Sequence, residues 1–171
     1  WIAGLIALCL SAPTSAQEFI EDVNYVRLSN PQTVQTGDKI EVLELFWYHC
    51  PHCFHLEPYL NRWLKNSADY IEYVRLPAIL TGSWEFDARV FYTFEALGVT
   101  ETMHKAYFDA IHKDRKSFVT EEQVAGWAGE YGIERQDFLD TFFNSFYVNS
   151  KVETARKLTG AYETDGVPMI I

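Results

Sequence analysis

The sequence predicts an α/β domain in which a strand–helix–strand unit is interrupted by a helical insertion. Three observations carry that expectation. An apolar run at 40–48 leads into an amphipathic helical pattern and then a second alternating run at 70–76. From about Thr81 to Phe146 only helical patterns appear. The last residues, "TDGVPMII", read as a turn opening a further apolar strand.

Residues 40–48, "IEVLELFWY", are apolar and aromatic enough for a buried strand. Alternation sets Ile40, Val42, Glu44, Phe46 and Tyr48 on one face, so Glu44 is a carboxylate among apolar neighbours. Beyond it, Leu56, Tyr59, Leu60, Trp63 and Leu64 recur at the spacing of one helix face. Residues 70–76, "YIEYVRL", alternate as a strand and stop at Pro77. A strand, a crossover helix and a second strand make a βαβ unit with a parallel pair.

In the insertion, Phe86, Val90, Phe94 and Leu97 mark one helix, ended by Gly98. Met103, Ala106, Tyr107, Ala110 and Ile111 mark the next. Thr120 with Gln123 forms a capping box for a third, which carries Val124, Trp127 and Ala128 and ends near Gly132. Leu139, Phe142, Phe143 and Phe146 mark a fourth, and these aromatics read as core. Val152, Ala155 and Leu158 lie on a last helix running toward Gly160.

At 171 residues the chain is long enough for one domain with its own core. An apolar content of 48% and an aromatic content of 16% exclude a disordered chain. The net charge of −10, with both signs mixed along the chain, argues against nucleic acid, whose phosphates call for a basic face.

The opening stretch, "WIAGLIALCLSAPTSAQE", reads as the apolar centre and cleavage region of a secretory signal without its charged leading part. A cut after Ala16 satisfies the small-residue rule, with Thr14 at the −3 position. A bilayer-spanning helix needs about 20 apolar residues, which weighs against an anchor. Cys9 then falls inside the signal as a small apolar residue. The expected organisation is a signal at 1–16, a first sheet segment with the cysteines at 17–77, a helical insertion at 78–147, and the second sheet segment at 148–171.

Cys50 and Cys53 remain in the exported part. A bridge between them closes a tiny loop and constrains the unfolded chain little, so the pair is better explained by chemistry than by stability. They belong to "YHCPHCFH", where two cysteines and three histidines crowd into 49–55. With Cys50 at the strand-to-helix junction, Pro51 takes the first helical position, where its fixed φ and missing N–H cost nothing. The Cys50 sulfur then faces the positive helix end, which favours a thiolate over a thiol. Cys53 lies one turn on, within bridging reach and more deeply buried. Cys50 is thus expected to form mixed disulfides and Cys53 to resolve them, with His52 as a cationic or hydrogen-bonding neighbour.

A zinc site needs two further ligands, and no second CxxC exists. His104 and His112 stand eight residues apart in the helical region, and a helix start points His49, His52 and His55 in different directions. Haem attachment needs a histidine where Phe54 stands. His49 and His55 read as polar bystanders. Glu44 has two readings: a glutamate facing solvent or a salt bridge, or a buried acid relaying the proton of the deeper cysteine. Pattern leaves both open.

"LELFWYHCPHCFHLEPYL", the long helical insertion and the late "GVP" together resemble the DsbA family of secreted thiol:disulfide oxidoreductases, over nearly all of 22–171. The resemblance implies a thioredoxin-like fold with an inserted all-helical domain, its final strands and last helix lying beyond Ile171. It implies a periplasmic monomer that inserts disulfides into newly exported, reduced polypeptides. Its redox centre is the disulfide Cys50–Cys53, with no other cofactor and no metal, reoxidised by a quinone-linked membrane partner. Carried over by position, Cys50 is the nucleophile, His52 its main tuning residue and Glu44 the buried acid. Val167-Pro168 matches a loop whose proline is cis and whose backbone pairs with an extended substrate. An isomerase or reductant of the same superfamily is the nearest alternative, and a non-catalytic domain with structural zinc or an inert disulfide is the alternative of another class.

Overall fold

The computed structural model describes residues 18–171. The expected signal segment and Cys9 lie outside the described residues. The elements in chain order are β1 (Ile40–Phe46), α1 (Pro51–Leu64), β2 (Ile71–Pro77), α2 (Gly82–Ala96), α3 (Thr100–His112) and α4 (Glu121–Ala128). A 3-10 turn (Gly129–Tyr131), α5 (Arg135–Asn144), α6 (Phe146–Ala161) and β3 (Met169–Ile170) complete them.

β1 is the middle strand of a three-stranded sheet, parallel to β2 on one side and antiparallel to β3 on the other. Its register sets Glu44 opposite Arg75 and Ile170, and Leu45 opposite Leu76 and Met169. Every residue from Leu43 to Phe46 is buried. Both faces of the sheet are covered at this end, so alternation does not separate inside from outside there. Ile40, on the expected inner face, is exposed at the strand's open end.

α1 begins directly after Cys50, its N-cap residue, with Pro51 at the first position. The helix buries Cys53, Glu57 and Leu60. Tyr59 and Trp63, expected on the buried stripe, stand 65% and 37% exposed. The stripe runs from Cys53 at i, i+4, i+7 and is narrower than the apolar pattern of the sequence suggests.

In the helical region the expected capping box forms: the Thr120 hydroxyl accepts from the Gln123 N–H, and the Gln123 side chain accepts from the Thr120 N–H. The turn after α4 closes on Gly132 in the left-handed conformation, φ 83°. The pattern Leu139–Phe146 is not one helix. Ser145 ends α5 and caps α6, its hydroxyl accepting from the Val148 N–H. Phe146 therefore opens the next helix and is 86% exposed, while Phe143 is half-exposed.

The core joins the C-terminal end of β1 to α2 and α3 through aromatic contacts. Tyr48 meets Tyr107 edge-on at 4.7 Å, and Phe46 meets Phe91 at 5.4 Å. This packing holds the turn between β1 and α1 against the helical layer.

Candidate active site

The site grows from the end of β1. Trp47, Tyr48 and His49 form a tight turn in which the Cys50 N–H donates to the Trp47 carbonyl at 3.0 Å. Cys50 then caps α1 with extended backbone, and its own side chain makes no capping bond to the free N–H groups of the first turn. Both cysteines are free thiols. The Cys50 thiol donates to the Val167 carbonyl at 3.3 Å, so the turn before β3 closes over the sulfur. The Val167-Pro168 peptide bond is cis. Pro51 and His52 are exposed on the first turn of α1, and His55 is exposed one turn on.

Cys53 is fully buried. Burial pushes its thiol well above the ordinary range, and the neighbouring Cys50 and Glu44 add to that. Glu44 is also fully buried, on the central strand. The Tyr73 hydroxyl donates to its Oε2, Arg75 Nε lies 3.8 Å from the same oxygen, and Oε1 has no hydrogen-bond partner among the described residues. Burial lifts this carboxyl to about 7; the Glu57 charge adds to the lift, and Tyr73 and Arg75 oppose it. Of the two readings open in the sequence, a glutamate facing solvent or a salt bridge and a buried acid, burial removes solvent exposure, while Arg75 at 3.8 Å keeps the salt bridge beside the buried acid.

Several polar groups that the sequence did not single out converge here. Glu57 accepts from His104 Nε2 at 3.1 Å and Asn61 Nδ2 at 3.2 Å, with Arg75 at 3.4 Å. His104 Nδ1 lies 3.0 Å from the Tyr48 hydroxyl. Burial pushes His104 down, toward its neutral form. One tautomer satisfies both bonds: Nε2–H donates to Glu57, and the Tyr48 hydroxyl donates to Nδ1. Burial acts to raise Glu57, but the His104 hydrogen bond and the Arg75 charge hold it below the usual carboxylate value.

His112 Nε2 donates to the Tyr48 carbonyl at 2.8 Å and its ring stacks on Phe54 at 4.7 Å. His104 and His112, remote in sequence, thus both reach the turn that carries the cysteines. Glu57 had a readable signal, since it stands four residues after Cys53 on the same helix face. Asp87, which accepts from His49 and Trp47, had none. Between α1 and α3 lies a groove of about 1020 Å³ lined by Phe54, Pro58, Tyr59 and Phe108, with Glu57 and His104 also on its wall. Among the described residues no group of three His, Cys, Asp or Glu is arranged to hold a metal ion.

Comparison with known proteins bears on this arrangement. A family profile described as "DSBA-like thioredoxin domain" matches residues 73–171. The thiol:disulfide interchange protein DsbA of Pseudomonas aeruginosa is 40% identical over 156 residues, 91% of this chain and 74% of that protein. The chain belongs to the DsbA family. The DsbA of Azotobacter vinelandii is 42% identical over 147 residues, covering 86% of this chain and 68% of that protein. The crystal structure of Pseudomonas aeruginosa DsbA superposes with a TM-score of 0.82 at 40% identity, over 90% of this chain and 79% of that one. The profile match begins within β2, after the cysteines. The longer DsbA alignments extend across β1 and α1, where Cys50 and Cys53 stand. The thioredoxin-like fold expected from the sequence, with helices placed between β2 and β3, is the DsbA fold.

Proposed function

We propose that this chain is a thiol:disulfide oxidoreductase that introduces disulfides into exported polypeptides in the periplasm, acting as a monomer through Cys50 and Cys53. The observation that carries the reading is the pairing of a thiol at the open N-terminus of α1, bonded to the Val167 carbonyl, with a second thiol fully buried behind it.

In the oxidised site a substrate thiolate attacks the Cys50 sulfur. The new S–S bond joins substrate to Cys50, the Cys50–Cys53 bond breaks, and Cys53 leaves. Burial disfavours a Cys53 thiolate, so it takes up a proton. Glu44, buried and titrating near 7, is the acid that supplies it. A second substrate thiolate then attacks the substrate sulfur of the mixed disulfide and Cys50 leaves as the thiolate. The free N–H groups at the start of α1 and the nearby His52 stabilise that leaving group. Two electrons have passed from the substrate dithiol to the cysteine pair. A quinone-linked membrane oxidase removes them to restore the disulfide. The Val167 carbonyl and the backbone at Pro168 hold the extended substrate beside the sulfur.

The test is a redox equilibrium of the protein against glutathione, with zinc content measured alongside. A pair that is readily reduced and transfers its disulfide to a reduced polypeptide supports an oxidase. A pair that glutathione cannot reduce favours a reductant or an inert bridge, and stoichiometric tightly held zinc would sink the redox reading. Replacing Cys53 with Ala should trap substrates on Cys50 as mixed disulfides visible by mass spectrometry.

A further inference from the structure

His49, a polar bystander by sequence, is one of the most firmly held side chains of the site. Its Nδ1 lies 2.8 Å from Asp87 Oδ2, with the imidazole 33% and the carboxylate 3% exposed. The same oxygen takes the Trp47 indole N–H at 2.7 Å, and Oδ1 takes the Tyr107 hydroxyl at 3.4 Å. Trp47 stacks on Trp84 at 4.3 Å and tilts against the His49 ring at 5.3 Å. Asp87 is therefore an anion carried on α2 into the core, where burial without a counter-charge is costly. Trp47 and Tyr107 bring it hydrogen bonds but no charge. Among the described residues, His49 is the basic side chain that bonds it.

We propose that His49 and Asp87 form a charge-supplying dyad for Cys50: Asp87 orients the imidazole and retains its proton, and the imidazolium stabilises the thiolate of the adjacent Cys50. His49 and Asp87 are positioning residues; neither exchanges a sulfur or an electron, and the proton stays on His49 throughout. The inference rests on the oxidoreductase reading above. It adds a second histidine to His52, which is exposed on the first turn of α1 and is held by no partner comparable to Asp87 among the described residues. The Asp87 hydrogen bond raises the proton affinity of His49, which burial opposes. The His49 ring faces Asp87 on α2 and Trp47 on its own turn, Tyr107 on α3 reaches the far oxygen of Asp87, His112 on α3 bonds the Tyr48 carbonyl one residue before His49, and Cys50 follows it in the chain. When His49 loses its proton, the Asp87 carboxylate is left uncompensated behind the site and the reduced form loses its support.

The sign follows. Protonated His49 favours the reduced, thiolate form, so the pair is more oxidising at low pH, and the advantage fades as pH rises through the titration of His49. The experiment measures the glutathione equilibrium constant of wild type, His49→Gln and Asp87→Asn from about pH 6 to about pH 9. Gln keeps a donor for Asp87 and removes the charge. At the acid end, His49→Gln should shift the equilibrium toward the disulfide by roughly threefold to tenfold, converging on wild type at the alkaline end. Asp87→Asn, which removes the carboxylate together with its hold on the imidazole, should shift it less than His49→Gln does. Should that buried change prevent folding, the His49→Gln profile alone decides, because His49 is partly exposed.

An unchanged equilibrium in His49→Gln, or an offset equal at every pH, overturns the dyad. If wild-type protein does not exchange with glutathione at all, the oxidase reading itself has failed. The wild-type curve thus separates the two failures.

Discussion

The Cys50 thiol donates a hydrogen bond to the Val167 carbonyl at 3.3 Å, joining residues 117 positions apart in the chain. Once Cys50 enters a disulfide it has no proton to donate, and the carbonyl becomes an open acceptor beside the reactive sulfur. An N–H of an extended substrate is the natural replacement, at a net gain of about 1 kcal/mol. Methylating the backbone nitrogens around a peptide's cysteine, one at a time, should therefore slow mixed-disulfide formation about fivefold at one position. Stopped-flow fluorescence would follow the reaction. Equal rates for all the peptides would remove Val167 from substrate binding.

Glu44 makes stability depend on pH in a direction unusual for a carboxylate. Its carboxyl is raised from 4.5 to about 7 in the folded protein, so between those values the native state binds the proton and the unfolded chain does not. Its contribution is fully present at low pH and is lost as pH rises toward 7. Glu44→Gln removes the charge and keeps an acceptor for Tyr73. Relative to wild type, this variant should gain about 2–3 kcal/mol between pH 4.5 and pH 7.5, read from urea unfolding of the reduced protein. The same variant should slow the release of Cys53 during reduction, since Gln has no proton to supply.

What the sequence made legible here is what lies within a turn or two of chain. Pro51 after Cys50 announces the start of α1, and Thr120 with Gln123 announces the start of α4, because each is a local backbone requirement. The break at Ser145 hid inside an unbroken apolar pattern, since a serine that ends one helix and caps the next leaves the spacing almost unchanged. Beyond Glu44 on its strand and Glu57 one turn after Cys53, the polar framework of the site was not readable. His49 meets Asp87 across 38 positions and Tyr48 meets His104 across 56, and those pairings exist only once α2 and α3 pack against the turn after β1. His104 and His112 looked remote from the cysteines for that reason.

The two cysteines should differ sharply toward alkylating agents. Cys53 is fully buried and its thiol is held in the protonated form by burial, whereas Cys50 sits at the helix start and retains some exposure. In the reduced protein at about pH 8, iodoacetamide should modify Cys50 at least ~100-fold faster than Cys53. Peptide mapping by mass spectrometry distinguishes the sites. Comparable labelling of both would show that Cys53 is open to solvent and that it leaves as a solvated thiolate, with no need of Glu44.

His104 works against Glu44 in the pH profile, and the opposition separates the two. Its imidazole is pushed below the ordinary value by burial, so as pH falls below about 6.5 the unfolded chain takes a proton that the native state resists. Stability present above that pH is lost on acidification. At neutral pH, His104→Leu should cost about 2–4 kcal/mol, because the Tyr48 hydroxyl and a Glu57 oxygen each lose a buried partner. Relative to wild type that deficit should shrink as pH falls from 6.5 toward 5, while the gain of Glu44→Gln shrinks over the same range. One variant thus approaches the wild-type curve from below and the other from above. A deficit of His104→Leu that grows instead as pH falls toward about 6.5 would mean that His104 is charged in the fold. Its bond to Glu57 would then be an ion pair, and the hydroxyl of Tyr48 would have to accept from Nδ1.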